Sequence, residues 1–123
     1  MAQPHFTVVH TEGAGAAVTV SVVEMRLPQM LDSSEFDELN EAMLALVQGR
    51  PSAGWVMDLT HVSYMGSAML GLMVNLRQRI RGAGGRLVLC NMPPSLMQIF
   101  RTCCMERLFT IAKTRAEAIK FAR

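Results

Sequence analysis

The residue with the clearest chemical potential is Ser67, in the stretch "DLTHVSYMGSAMLG". Its hydroxyl could serve as a nucleophile, a helix cap or a phosphate acceptor. A nucleophilic serine needs a base, and the histidines are His5, His10 and His61. The stretch lacks the Gly-x-Ser-x-Gly turn of a serine hydrolase, and no pairing of a histidine with an acid is evident. The sequence therefore disfavours an enzyme.

The cysteines do not form a recognisable site either. The three cysteines, Cys90, Cys103 and Cys104, are an odd number without CxxC spacing, and HExxH is absent. We expect Cys90 to be buried in a strand, and Cys103 and Cys104 to be free thiols on a helix. The glycine-rich stretches contain neither GxGxxG nor a P-loop. No metal site and no cofactor is predicted.

A group of arginines lies in "RQRIRGAGGR", namely Arg77, Arg79, Arg81 and Arg86. A phosphate-binding patch is one interpretation of these residues. The favoured interpretation is that the cations oppose the negative end of a helix dipole and remain solvated. No aromatic residues are interleaved for base stacking, so direct nucleic-acid binding is not predicted.

Length and composition predict one soluble domain over residues 1–123. The 123 residues are 50% hydrophobic and 18% charged, and the net charge is +2. No apolar run approaches the ~20 residues that span a bilayer. The N-terminus also lacks the basic and apolar regions of a signal peptide. A cytoplasmic location without membrane association is expected.

The first third of the chain predicts two strands and a helix. Residues 6–10 and 18–23 are rich in β-branched residues, and "TEGAGA" between them predicts an antiparallel hairpin. After Pro28, apolar residues recur at helical spacing. We expect Ser33 or Ser34 to cap this helix and Gly49 to end it.

Strands and helices alternate over the rest of the chain. Strands are predicted in "GWVMDLTHV", "RLVLC" and "RLFTIA", and helices from about Ser67 to Arg81, in "PPSLMQIFRTCC" and in "TRAEAIKFA", with Thr114 as cap. The predicted class is α/β, with about four helices on a mixed sheet whose later strands are parallel. Sites in such sheets lie beyond the carboxyl ends of strands, here at residues 60–69.

The second helix is apolar on almost every side at its start. Met65, Met69 and Met73 fall in this region, and methionine fills irregular cores or lines adaptable surfaces. One side must face the sheet. The other side is either covered by the last helix or left as an exposed patch for a partner.

The segments "DLTHVSYM", "GSAMLG", "RGAGGRLVLC" and "RLFTI" resemble the STAS domain, in particular the single-domain anti-sigma factor antagonists. The family pattern has a strand ending in Asp-Leu-Ser/Thr, then an Asp-Ser-Ser/Thr-Gly-Leu-Gly segment and a helix. The resemblance covers most of the chain and implies the STAS fold.

The resemblance also implies a phosphorylation switch. In the family, the serine or threonine after the aspartate is phosphorylated by a partner that is both a kinase and an anti-sigma factor. Phosphorylation breaks the binding, and a phosphatase restores it. Ser67 matches the phosphorylated position. The implied partner-binding residues are Thr60, His61, Ser63, Met65, Gly66, Ser67, Met69 and Leu70.

Three positions depart from the family pattern. Gly66 stands in place of the aspartate, Ala68 in place of the second Ser/Thr, and Met69 in place of the following glycine. These departures are compatible with an altered partner. They are also compatible with a STAS scaffold or small-ligand module that is not phosphorylated. A homodimer is a further alternative that the sequence leaves open.

Overall fold

The computed structural model describes residues 5–12, 19–28, 30–49 and 54–123. Strands and helices follow one another in the predicted order. The elements are β1 (Phe6–Glu12), β2 (Thr19–Arg26), α1 (Ser33–Gln48), β3 (Gly54–His61), α2 (Ser67–Gly82), β4 (Arg86–Cys90), α3 (Pro94–Thr102), β5 (Thr110–Ala112) and α4 (Arg115–Ala122).

The five strands form one mixed sheet in the order β1-β2-β3-β4-β5. The first pair is antiparallel and the other three pairs are parallel. The predicted α/β class with a mixed sheet and four helices is therefore confirmed. Residues 13–16 of the predicted hairpin turn lie outside the described residues.

Helices cover both faces of the sheet, but unequally. The helices α1, α2 and α3 join successive neighbouring strands in one direction, and right-handed crossovers place all three on the same face. The last helix, α4, packs on the opposite face through Ala118 and Ala122. The option that the last helix covers α2 is therefore wrong, because α1 is the helix that packs beside α2.

The main core lies between the sheet and the first three helices. Trp55 and Met57 of β3 point into it, together with Met73 of α2 and Phe100 of α3, and all four are completely buried. The smaller core under α4 contains Val56, from the other face of β3. The central strand is thus buried on both sides, as its continuous apolar sequence predicts.

The ends of α1 correct one prediction and confirm another. Asp32, rather than Ser33 or Ser34, is the N-cap: it accepts a hydrogen bond of 2.7 Å from the backbone of Glu35, whose side chain accepts one in return. This reciprocal capping box satisfies two N–H groups at once, so the helix begins one residue earlier than a serine cap would allow. At the other end, Gly49 terminates the helix as predicted.

The later elements also differ slightly from prediction. Cys103 and Cys104 are not within a helix, because α3 ends at Thr102 and Cys104 adopts a left-handed backbone with φ 57°. The last strand is shorter than predicted and begins at Thr110. Thr114 caps α4 as predicted, accepting a hydrogen bond of 3.2 Å from the backbone of Glu117.

Within the described part of the chain, no helix is both long and apolar enough to cross a membrane.

Candidate functional site

The candidate site is built around the segment that joins β3 to α2. The segment leaves the carboxyl end of β3 after His61 and enters the helix at Ser67. The extended backbone of Gly66 makes that residue the N-cap, and its carbonyl accepts a hydrogen bond of 3.0 Å from the backbone of Leu70. Ser67 is therefore the first residue of α2, and the hypothesis that its side chain caps the helix is wrong.

The Ser67 side chain is exposed and forms no hydrogen bond with another described residue. The first turn of α2 contains no acidic residue, and its cap has no side-chain acceptor for the free N–H groups. The positive end of the helix dipole is thus uncompensated by a side-chain charge in this turn. A hydroxyl at this position is open to modification, and the local field favours a negative group.

The predicted partner-binding residues differ in how much surface they expose. Four of them are exposed: Thr60, His61, Ser63 and Ser67. Gly66 is half-buried. The apolar members Met65, Met69 and Leu70 are buried and belong to the main core.

An apolar groove lies beside the start of α2 and encloses about 480 Å³. Its walls are the segment between β2 and α1, the first turns of α1, and the residues on either side of Ser67. Two of the side chains that line the groove are apolar and exposed, Met30 at 86% and Tyr64 at 50%. The lining residues are Leu27, Pro28, Met30, Leu31, Asp32, Ser33, Phe36, Asp37, Tyr64, Met65, Gly66, Ala68 and Met69.

The groove contains site residues that sequence reasoning missed. Met65, Gly66 and Met69 were predicted at a site, whereas Met30 and Tyr64 were not. The available signal was the apolar character of "LPQML" directly before a helix cap, which places apolar side chains outside any regular element. That signal does not reveal which other segment faces them.

A polar network closes the carboxyl edge of the sheet next to the same segment. Asp58 accepts hydrogen bonds from the backbone and hydroxyl of Thr60, at 3.0 and 2.5 Å, and from the amide of Asn91, at 3.3 Å. Its second oxygen accepts two from Arg115, at 3.2 and 2.8 Å. Arg115 also forms an ion pair with Glu24 of β2. The network therefore ties β2, β3 and α4 together.

The hydrogen bonds of this network keep Asp58 and Arg115 ionised. Burial opposes ionisation of Asp58, but the hydrogen bonds from Thr60, Arg115 and Asn91 outweigh it and hold the pKa of Asp58 below its ordinary value. The hydrogen bond to Glu24, followed by that to Asp58, raises the pKa of Arg115. Both groups are charged at neutral pH, so the network acts as a fixed brace and not as an acid–base pair.

Two further hydrogen bonds anchor the segment before Ser67. The backbone of Val62 donates a hydrogen bond of 3.0 Å to the Leu59 carbonyl, and the Ser95 hydroxyl donates one of 3.0 Å to the Ser63 carbonyl. Together with the Asp58 network, these bonds present Ser67 on a well-anchored segment.

Cys90 is buried in a strand, as the sequence predicts. Cys90 is completely buried, and burial together with the charge of Asp58 raises the pKa of its thiol to about 12. That thiol is therefore protonated at neutral pH and a poor nucleophile. Cys103 and Cys104 are exposed free thiols. The described residues contain no group of three or more His, Cys, Asp or Glu placed to hold a metal ion.

Comparison with known proteins agrees with this fold. The family model of the STAS domain matches residues 14–118. A relative named as the anti-sigma factor antagonist BtrV, from Bordetella bronchiseptica, is 28% identical over 92 residues, which are 75% of this chain and 78% of BtrV. The chain belongs to the STAS domain family.

Two solved structures show the same architecture. A STAS domain protein from Planctomyces limnophilus matches with a TM-score of 0.71 at 24% identity, over 94% of this chain and 97% of that one. The Bacillus cell fate determinant SpoIIAA in its phosphorylated form matches with a TM-score of 0.61 at 19% identity, over 95% of this chain and 100% of that one. At these identities the likeness establishes the fold.

Proposed function

We propose that this protein is a regulatory antagonist of an anti-sigma factor and that phosphorylation of Ser67 switches it off. The observation that carries the proposal is the position of Ser67, exposed as the first residue of α2 and flanked by residues of an apolar groove. The similarity to a relative named as an anti-sigma factor antagonist supports the same class of partner.

The electrostatics of α2 are compatible with such a switch. A phosphate on Ser67 would carry a charge of about −1.5 to −2 at neutral pH. The free N–H groups and the dipole at the start of α2 stabilise a negative charge, so the fold tolerates the phosphate. An apolar interface fitted to a neutral serine does not, because the charge must lose water on binding.

The partner would contact the exposed residues around Ser67 and the groove beside it. Thr60, His61 and Ser63 supply polar contacts at the end of β3, while Met30 and Tyr64 supply apolar area. The buried members of the predicted set, Met65, Met69 and Leu70, shape this surface from beneath and expose little area themselves.

The proposal extends to partners and location. The partners are an anti-sigma factor that is also a serine kinase, and a phosphatase that restores the free hydroxyl. Residues 1–123 act as a single STAS-like domain in the cytoplasm, with a regulatory and not an enzymatic role. Direct binding of nucleic acid and association with a membrane are not part of this function.

Phosphorylation can be tested directly. The protein is incubated with candidate anti-sigma kinases from the same cell and ATP, and its intact mass is measured. We expect the gain of one phosphate, which Ser67→Ala abolishes and Ser34→Ala, a control at another exposed serine near a helix start, does not. A phosphate that persists in Ser67→Ala would place the modification elsewhere and contradict the proposal.

A second candidate is a STAS module that binds a small apolar molecule without a phosphoswitch. It is favoured by the altered residues Gly66, Ala68 and Met69 and by the groove that all three line. Its volume of about 480 Å³ lies within the range of small-molecule sites. A molecule retained in native mass spectra, and lost when Ala68→Gln makes the exposed groove wall polar, would support this candidate.

A further inference from the structure

A second pocket lies at the opposite edge of the sheet from Ser67, where β4 and β5 begin. It encloses about 630 Å³. We refer to it as the basic pocket. Its lining residues are Arg77, Arg81, Gly85, Arg86, Leu87, Val88, Leu108, Thr110, Lys120 and Phe121.

The basic pocket contains four cations and no acidic residue. Arg77 and Arg81 lie one turn apart on α2, Arg86 begins β4, and Lys120 lies in the last turn of α4. None of the four forms an ion pair or side-chain hydrogen bond with another described residue, unlike Arg79, which bonds Asn75 at 3.2 Å. The positive charge of this pocket is therefore not neutralised by the described part of the protein.

The turn between α2 and β4 brings these cations together. Gly84 adopts a left-handed backbone with φ 86°, and the backbone of Gly85 donates a hydrogen bond of 2.8 Å to the Ile80 carbonyl. The chain reverses within this glycine turn, and Arg86 consequently joins the two α2 arginines around one pocket.

Helix dipoles do not account for the whole cluster. The helices α2 and α4 both end at this pocket, and each C-terminus carries about half a negative charge. Two such ends balance about one of the four cations. The excess of about three positive charges in a concave site favours an anion.

The remaining lining residues indicate that the ligand is not purely ionic. Leu108 and Phe121 are 40% and 45% exposed and both line the pocket, so they offer apolar area to a ligand beside the cations. Arginine presents a planar fork that matches the oxygens of a phosphate. We infer that the basic pocket binds a phosphate-bearing ligand whose apolar portion packs on Leu108 and Phe121.

Two sources could supply such a ligand, a free phosphorylated molecule or a phospholipid headgroup. Soluble binding is measured calorimetrically with pyrophosphate and with p-nitrophenyl phosphate. Lipid binding is measured by flotation with vesicles of phosphatidylcholine alone and of phosphatidylcholine mixed equally with phosphatidylglycerol. Binding to either class supports the proposal and identifies the source.

The variants distinguish a built site from general attraction. Arg81→Gln combined with Arg86→Gln should weaken binding about tenfold or more. The control Arg79→Gln combined with Arg107→Gln changes the net charge equally but leaves the pocket lining intact, and binding should be retained. Phe121→Gln should weaken p-nitrophenyl phosphate and leave pyrophosphate unchanged, provided that the unfolding curve shows a folded protein.

Three results would overturn the inference: the absence of binding to every phosphate probe, equal losses in the two double variants, or tighter binding of polyglutamate than of any phosphate probe. The last result would assign the pocket to an acidic protein partner. Binding in Ser67→Ala should match that of the unaltered protein, so the outcome is independent of the proposed phosphoswitch.

Discussion

Arg115 donates two hydrogen bonds, of 3.2 and 2.8 Å, to the carboxylate of Asp58, which lies 57 residues earlier in the chain. The two residues belong to α4 and β3, and the same guanidinium pairs with Glu24 of β2. The pair therefore joins three elements at the edge of the sheet from which the chain continues to Ser67. Its loss should affect both the stability of the fold and the position of the candidate site.

We expect Asp58→Asn to lower the free energy of unfolding by about 2 kcal/mol at pH 7, because charge-assisted hydrogen bonds to Arg115 are lost. The folded-state pKa of Asp58 lies below its ordinary value. Its contribution is therefore present above the unfolded-state pKa, and it is lost as the pH falls through the folded-state pKa. The difference between variant and parent should shrink as the pH falls below about 4.

Urea unfolding at a series of pH values measures this difference. Glu41→Gln, at an exposed position on α1, serves as the control and should change stability little at any pH. A difference between Asp58→Asn and the parent that stays constant down to acid pH would contradict the assigned role of the carboxylate.

Gly54 and Gly71 should respond in opposite ways to alanine. A Cβ at Gly54 would overlap the carbonyl of Ala122, so α4 must move away from β3. We expect Gly54→Ala to destabilise the protein by about 1–3 kcal/mol. Gly71 lies exposed within α2 with open space around it, and Gly71→Ala should stabilise the helix by about 1 kcal/mol. Thermal and urea unfolding of both variants test this contrast.

The family's aspartate should be tolerated at position 66. Gly66 has φ −80°, and a Cβ there would meet only the Tyr64 side chain, with Cε2 at 3.8 Å and the hydroxyl oxygen at 3.9 Å. Aspartate is a good N-cap, so we expect Gly66→Asp to stabilise the protein by about 0.3 kcal/mol. Destabilisation by Gly66→Asp would show that glycine is required at this position for steric reasons.

Tyr64 is the exposed aromatic side chain of the groove, and exposed tyrosines that become buried in an interface often dominate its affinity. We expect Tyr64→Ala to weaken binding of the anti-sigma factor about tenfold without changing the unfolding curve. Phe121→Ala is the matched control, because Phe121 is similarly exposed at the opposite edge of the sheet. If the two variants lost affinity for the anti-sigma factor equally, the groove would not be part of the interface.

The order of elements could be predicted from the sequence because hydrophobic periodicity is a local property. The buried strand β3 and the Thr114 cap of α4 are examples. Ser67 could be identified by its resemblance to a family motif. The start of α2 at Ser67 was also predicted, but the identity of the cap was not, because glycine caps the helix through backbone geometry alone. The distinction between a cap and a first helical residue decides how free the hydroxyl is.

Contacts between residues that are distant in the chain could not be predicted from the sequence. Asp58 stands out as a carboxylate in an apolar strand, but nothing local indicates that Asn91 and Arg115 satisfy it. The groove was missed for the same reason, since Met30 and Tyr64 line one groove only after α1 packs beside α2. Likewise, Lys120 joins the arginines of the basic pocket only in the folded protein.

The most direct test of the proposed function compares two forms of this protein against its anti-sigma factor. The dissociation constant is measured for the unmodified protein and for protein carrying one phosphate on Ser67. Ala116→Asp, at an exposed position in the first turn of α4 on the opposite face of the sheet, controls for negative charge near a helix start. Phosphorylation of Ser67 should weaken binding about a hundredfold, whereas Ala116→Asp should leave it unchanged. Equal affinities for the phosphorylated and unmodified forms would contradict the proposed switch.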